Sequence, residues 1–186
     1  MGKKSTFSVI QLLFCIVFII SISFFAKFFL IDFLHVKGTS MYPTLDDKQL
    51  ILFSKCSYGI VKPFGSTLIF SWRKPKRGDV VIYMYQNHYV VKRCVGIEGD
   101  TIKLIANFDD FFYNMEINGK NIPLTKTEYH LLKGSTVVPK GTIFCVGDNY
   151  ENSVDSRSYG FIPVINILGK VVTSCRQTEY SNEAGS

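Results

Sequence analysis

Val80-Val81-Ile82-Tyr83-Met84-Tyr85, then Gln86-Asn87-His88, then Tyr89-Val90-Val91-Lys92-Arg93-Cys94-Val95-Gly96-Ile97 is the stretch whose reading decides the fold. Both runs are rich in β-branched and aromatic residues, which suit a pleated, half-buried surface. The three polar residues between them are a hairpin-length connection. Further strand signals follow at Thr101–Ile105, Met115–Ile122, Thr142–Val146 and Ile167–Thr173, and Asn118-Gly119 suits a tight turn because both residues tolerate positive φ. The body is therefore expected to be mainly β, with antiparallel sheets in a folded-over or partly closed barrel.

Upstream the pattern changes. Phe7 to Ala26 carries no charge, and the apolar run continues through Phe28, Phe29, Leu30 and Ile31. Its length matches a hydrocarbon core, and no small-x-small cleavage site closes a short apolar segment. The expectation is a retained transmembrane signal anchor over 7–31, preceded by a cytoplasmic N-terminus at 1–6. Lys3 and Lys4 favour that orientation, and Lys27 can snorkel from the outer interface. An extracytoplasmic β domain would span 32–175, and the polar residues 176–186 read as a disordered tail.

The chain has 186 residues, a net charge of +6 and 47% hydrophobic residues. That composition excludes a disordered protein. Its basic balance fits a membrane surface better than nucleic acid, since the cations are scattered and an anchor precedes the body. Of five cysteines, Cys15 lies in the apolar run, and Cys56, Cys94, Cys145 and Cys175 show no CxxC spacing. Neither a metal nor a disulfide is expected. Lys62 to Arg77 interleaves Phe64, Leu68, Ile69, Phe70 and Trp72 with five cations. That mixture suits either the lipid headgroup region or a loop whose aromatics cap the core.

Three segments carry candidate chemistry. Gly38-Thr39-Ser40-Met41-Tyr42-Pro43-Thr44 places a hydroxyl just beyond the anchor, at a bend fixed by Pro43. Lys92 lies within a valine-flanked strand. On the buried face, desolvation would lower its pKa and make a neutral amine available as a base, with Arg93 pointing to the other face. Gly147-Asp148-Asn149-Tyr150-Glu151-Asn152-Ser153-Val154-Asp155-Ser156-Arg157-Ser158-Tyr159-Gly160 is too polar for a strand. Read alone it is a solvated loop, and it lacks the spacing of a calcium loop.

Together these segments resemble the bacterial type I signal peptidases, or leader peptidases. Gly-x-Ser-Met-x-Pro-Thr at 38–44, Arg77-Gly78-Asp79-Val80-Val81, Val-Val-Lys-Arg at 90–93 with Gly96 to Asp100, and the 147–160 run occur in that family's order. The resemblance runs from about Leu34 to Val172. It implies Ser40 as nucleophile, Lys92 as general base and Ser153 as the serine that orients the amine. Asp148, Asp155, Arg93 and Arg157 match supporting charges. Leu34, Val36, Leu45, Val90 and Val91 match positions lining two shallow pockets that accept Ala-like side chains. Some members carry a serine where Gly38 stands, so the oxyanion would fall to backbone donors, the Ser40 N–H first.

The implied protein is a membrane-bound serine endopeptidase that removes signal peptides after Ala-x-Ala-type sites, single-pass in the bacterial cytoplasmic membrane. Its implied partners are preprotein signal peptides and membrane lipids, with no nucleic acid, metal or cofactor. A specialised pilin or transfer-protein processor is a neighbouring reading, less suited to the ordinary loop spacing. The endoplasmic-reticulum type usually has His at the Lys92 position, and autocleaving repressors carry a DNA-binding domain where this chain has an apolar run. The non-enzymatic alternative is a catalytically silent, membrane-tethered β module that binds secreted chains.

Overall fold

The computed structural model describes residues 3–25, 27, 30–62, 65–107 and 112–175, with side chains from residue 9 to 173. The expected tail at 176–186, Cys175 as a thiol and Phe64 lie outside what is described. Helix α1 (Lys3–Phe25) is followed by β1 (Ile31–His35) and β2 (Leu50–Ser54). A hairpin of β3 (Gly59–Val61) and β4 (Leu68–Ser71) precedes β5 (Val80–Tyr85) and β6 (His88–Ile97). Then come β7 (Ile102–Asn107), β8 (Phe112–Ile117), β9 (Lys120–Pro123) and α2 (Lys126–Leu132). The chain closes with β10 (Thr142–Val146), the short helix α3 (Ser156–Tyr159), β11 (Ile162–Pro163) and β12 (Ile167–Cys175).

The principal sheet has seven strands in the order β1-β2-β12-β5-β6-β10-β11, all neighbours antiparallel. The deciding hairpin is β5–β6: Val80 pairs with Arg93 and Tyr85 with His88. Gln86 and Asn87 form its turn with φ of 48° and 63°, the left-handed pair that a two-residue turn between twisted strands requires. Asn118 and Gly119 do the same between β8 and β9.

Two expectations need correction, and a third finds no support among the described residues. The sheet does not close into a barrel: β1 and β11 are its ends, and β7-β8-β9 form a separate sheet. That second sheet packs with α2 around Ile102, Met115, Ile117, Ile122 and Leu132, so the body has a satellite core and a helix besides its strands. Finally, among the described residues no helix is long and apolar enough to cross a membrane. Helix α1 opens on Lys3, Lys4, Ser5 and Thr6, and the residues 26, 28 and 29 that would extend its apolar part lie outside what is described. Ile31, placed in the anchor by sequence, already belongs to β1.

Two clusters under the principal sheet position the site. Val36, Met41, Leu45, Ile51, Phe53 and Ile82 bury the segment that follows β1. Tyr83, Cys94, Ile143, Cys145 and Ile167 hold β5, β6, β10 and β12 together. Cys94 and Cys145 face each other across the ladder as free, buried thiols, small apolar residues in effect.

Candidate active site

The segment after β1 turns sharply. Gly38 adopts φ of 83° and its N–H donates to Asp47 Oδ1 at 2.7 Å. A turn then closes with Tyr42 N–H on the Thr39 carbonyl and Leu45 N–H on that of Met41. Met41 and Leu45 bury their side chains, and Ser40, just before them, faces Lys92 on β6.

Lys92 projects from the middle of β6 and is 4% exposed. Its Nζ lies 2.7 Å from Ser40 Oγ and 3.0 Å from Ser153 Oγ. Burial lowers its pKa from 10.5 to about 8; Asp155 pulls upward, Arg157 downward and Asp148 upward, and desolvation prevails. At neutral to mildly alkaline pH a useful fraction of the amine is therefore unprotonated. In that form its lone pair can accept the Ser40 hydroxyl proton across the same short contact.

The loop after β10 supplies the rest. Ser153 Oγ donates to Asp155 Oδ2 at 2.6 Å, which leaves an oxygen lone pair for the lysine amine. Asp155 is fully buried, accepting from Gly147 N–H and, through both oxygens, from Arg157. Arg157 in turn donates to the Tyr150 and Ser153 carbonyls and stacks over the Tyr150 ring. Asn149 N–H donates to the Ser40 carbonyl at 3.0 Å, and its amide reaches the Thr39 carbonyl, so the loop grips the serine segment directly. Gly147 has no room for a side chain, because a Cβ there would overlap Ser153 Oγ and the Ser40 carbonyl.

The four charges expected to pin the loop to β6 divide the task. Arg93 holds Asp148 through two hydrogen bonds of 2.8 and 2.7 Å and reaches Thr44, tying strand, loop and serine segment together. Although burial alone would raise the Asp148 pKa, that pairing holds it below the usual carboxylate range. Asp155 and Arg157 pair with each other inside the loop, and Asp155 lies one hydrogen bond from the serine that touches the amine.

A cleft of about 530 Å³ runs beside Ser40 and Lys92. Leu34, Val36, Val90 and Val91 line it. Leu45 does not; it is buried in the cluster that supports the turn. Sequence reading missed Met41, Tyr89, Asn152 and Val154 on the same walls. It also missed Gly147, Thr44 and Tyr150, whose parts depend on contacts between distant segments. Both strands flanking the cleft offer backbone edges: among the described residues β1 pairs with β2 alone, and β10 covers β6 only from Arg93 onward. Among the described residues no group of three or more His, Cys, Asp or Glu side chains is placed to hold a metal ion.

A family model described as "Signal peptidase, peptidase S26" matches residues 9–175. The signal peptidase I of Buchnera aphidicola subsp. Baizongia pistaciae is 28% identical, over 83% of this chain and 72% of its own. Signal peptidase I T of Bacillus subtilis is 33% identical, over 90% of this chain and 86% of its own. A crystal structure of a signal peptidase I from Enterococcus faecalis, 25% identical, covers 55% of this chain and all of its own at a TM-score of 0.38, an overlap too partial to bear on the fold. With the matched region taking in the serine segment, β6 and the polar loop, this chain belongs to the peptidase S26 family and is a signal peptidase of the type I kind.

Proposed function

We propose that Ser40 and Lys92 form a catalytic dyad that cleaves signal peptides from exported preproteins after small residues. The observation that carries this reading is the 2.7 Å contact between Ser40 Oγ and a buried lysine amine whose pKa is lowered to about 8. An extended substrate enters the cleft as an added strand between the free edges of β1 and β6. Alternate side chains then face Leu34, Val36, Val90 and Val91, branched walls that leave shallow space for Ala-sized groups.

Ser40 Oγ attacks the scissile carbonyl carbon while its proton passes to Lys92 Nζ. The oxyanion is stabilised by the Ser40 backbone N–H and a neighbouring N–H, since Gly38 has no side-chain donor. Collapse breaks the C–N bond, and Lys92 gives its proton to the departing amine, leaving an ester on Ser40. Water, deprotonated by Lys92, hydrolyses that ester. Ser153 holds the amine on line, and Asp155 holds Ser153.

The apolar run from Phe7 is read as a membrane anchor with the body on the extracytoplasmic side. Support comes from its uncharged sequence and from the exposed apolar side chains along α1, among them Val9, Leu13, Val17 and Ile20. Detergent-solubilised protein incubated with a preprotein tests the catalytic reading, with Ser40→Ala and Lys92→Ala in parallel. Cleavage at a small-x-small site by the intact protein, and loss of about three orders of magnitude in either variant, is the expected result. Absence of cleavage by the intact protein would favour the silent-module reading, and unchanged cleavage by either variant would refute the dyad.

A further inference from the structure

The β3–β4 hairpin takes no part in the site, yet it is built to a definite shape. Its base is held from within: the Tyr58 carbonyl accepts from Trp72 N–H at 3.1 Å and from Ser71 Oγ at 3.0 Å, while Tyr58 itself is buried with its hydroxyl on Asp79. Leu68 is buried in the main core and Val61 packs against it. Gly59 admits the close pass of β4, since a Cβ there would overlap the Phe70 carbonyl. Of Leu68, Ile69, Phe70 and Trp72, only Leu68 joins the core.

The rest of the hairpin faces outward. Ile69 is 65% exposed, Phe70 61% and Trp72 52%. Ile60, also exposed, sits directly opposite Phe70 across the ladder, and the Phe70 and Trp72 rings are 6.3 Å apart. Around this apolar group the charge is of one sign. From Lys55 to Gly78 there is no Asp or Glu, while Lys62, Arg73, Lys74, Lys76 and Arg77 fall within it. Lys74 and Arg77 are paired with Glu98 and Asp100. Lys62 and Arg73 are exposed and join no ion pair among the described residues.

We propose that this hairpin is a second membrane contact, in which Ile69, Phe70 and Trp72 enter the interfacial region of an anionic bilayer while Lys62 and Arg73 meet lipid phosphates. Aromatic rings with cations at their margin match the apolar boundary and negative headgroups of such a surface. A protein partner of ordinary composition would have to bring its own excess of carboxylates to the same place. The role is to fix the body's orientation at the membrane, beyond what a single helical tether can do, and it stands independently of the catalytic assignment.

Trp72 is the chain's only tryptophan, so its fluorescence reports this hairpin alone. The full chain is reconstituted in neutral phosphatidylcholine bilayers and in bilayers containing phosphatidylglycerol, each with brominated acyl chains. The expected result is a blue-shifted emission quenched by the brominated lipid, and protected from aqueous acrylamide, in the anionic bilayers. Lys62→Ser with Arg73→Ser lowers the docked fraction ratio by about tenfold or more, since each cation near an anionic surface changes partition by about fivefold. Ile69→Ser with Phe70→Ser weakens quenching in the anionic bilayers. Emission equally open to acrylamide in anionic bilayers and in detergent overturns the proposal. So does a blue shift that follows protein concentration without regard to lipid, which would mean self-association. Co-flotation of the chain with both vesicle types reports the anchor separately, so the two readings fail independently.

Discussion

Replacing Lys92 with methionine should make the protein inactive and more stable at neutral pH. Methionine keeps most of the side-chain length and removes the amine. In the folded protein burial lowers the lysine pKa to about 8, against 10.5 for the free side chain. Between those values the unfolded chain binds more protons than the folded one, so this group makes stability rise with pH. Below about pH 8 the full penalty applies, and above about 10.5 it is gone. At about 1.4 kcal/mol per pH unit, the gap corresponds to a penalty of about 3 kcal/mol at pH 7. The variant also loses the hydrogen bonds to Ser40 and Ser153, each worth about 1 kcal/mol. A net gain of about 1–2 kcal/mol at pH 7 is therefore expected, turning into a loss of similar size above pH 10.5. Urea unfolding of both proteins in the same detergent, from pH 6.5 to 11, measures the difference, and titrations elsewhere in the chain cancel between the two. A variant less stable at pH 7, or a difference that does not change between pH 8 and 10.5, would refute a lysine held neutral by burial.

Two further outcomes follow from the geometry. Gly147→Ala should lower kcat by about two orders of magnitude or more while leaving the fold intact, because the added methyl overlaps Ser153 Oγ and the Ser40 carbonyl and parts the dyad; a steady-state assay with circular dichroism as control checks it. Arg157→Met leaves Asp155 fully buried without its guanidinium and should cost about 3–5 kcal/mol by denaturant unfolding.

The hairpin at the centre of the body was legible because its turn residues and its β-branched runs state the same structure. The sheet's openness was not, since strand signals do not say which edges meet; that depends on β12 returning between β2 and β5. Helix α2 left a signal that strand-centred reading passed over. Thr125 and Glu128 form a capping box, each side chain accepting from the other's backbone N–H, immediately before Tyr129, Leu131 and Leu132. At the site, Ser40, Lys92 and Ser153 were named from motif order, and the structure brings them together within hydrogen-bond distance. Leu45 was misplaced because an aliphatic residue beside a motif reads the same whether it lines a cleft or supports a turn. Gly147 was noted only as part of a polar run, for its requirement comes from two groups far away in sequence.

The pH dependence of kcat/KM for cleavage of a signal-sequence peptide tests the central claim most directly, because it reports ionisation of the free enzyme. A neutral Lys92 acting as base predicts a rise of one proton's steepness, half-complete near pH 8, to a plateau at alkaline pH. A profile flat across that range, or one already complete by about pH 6 as an imidazole base would give, would contradict it.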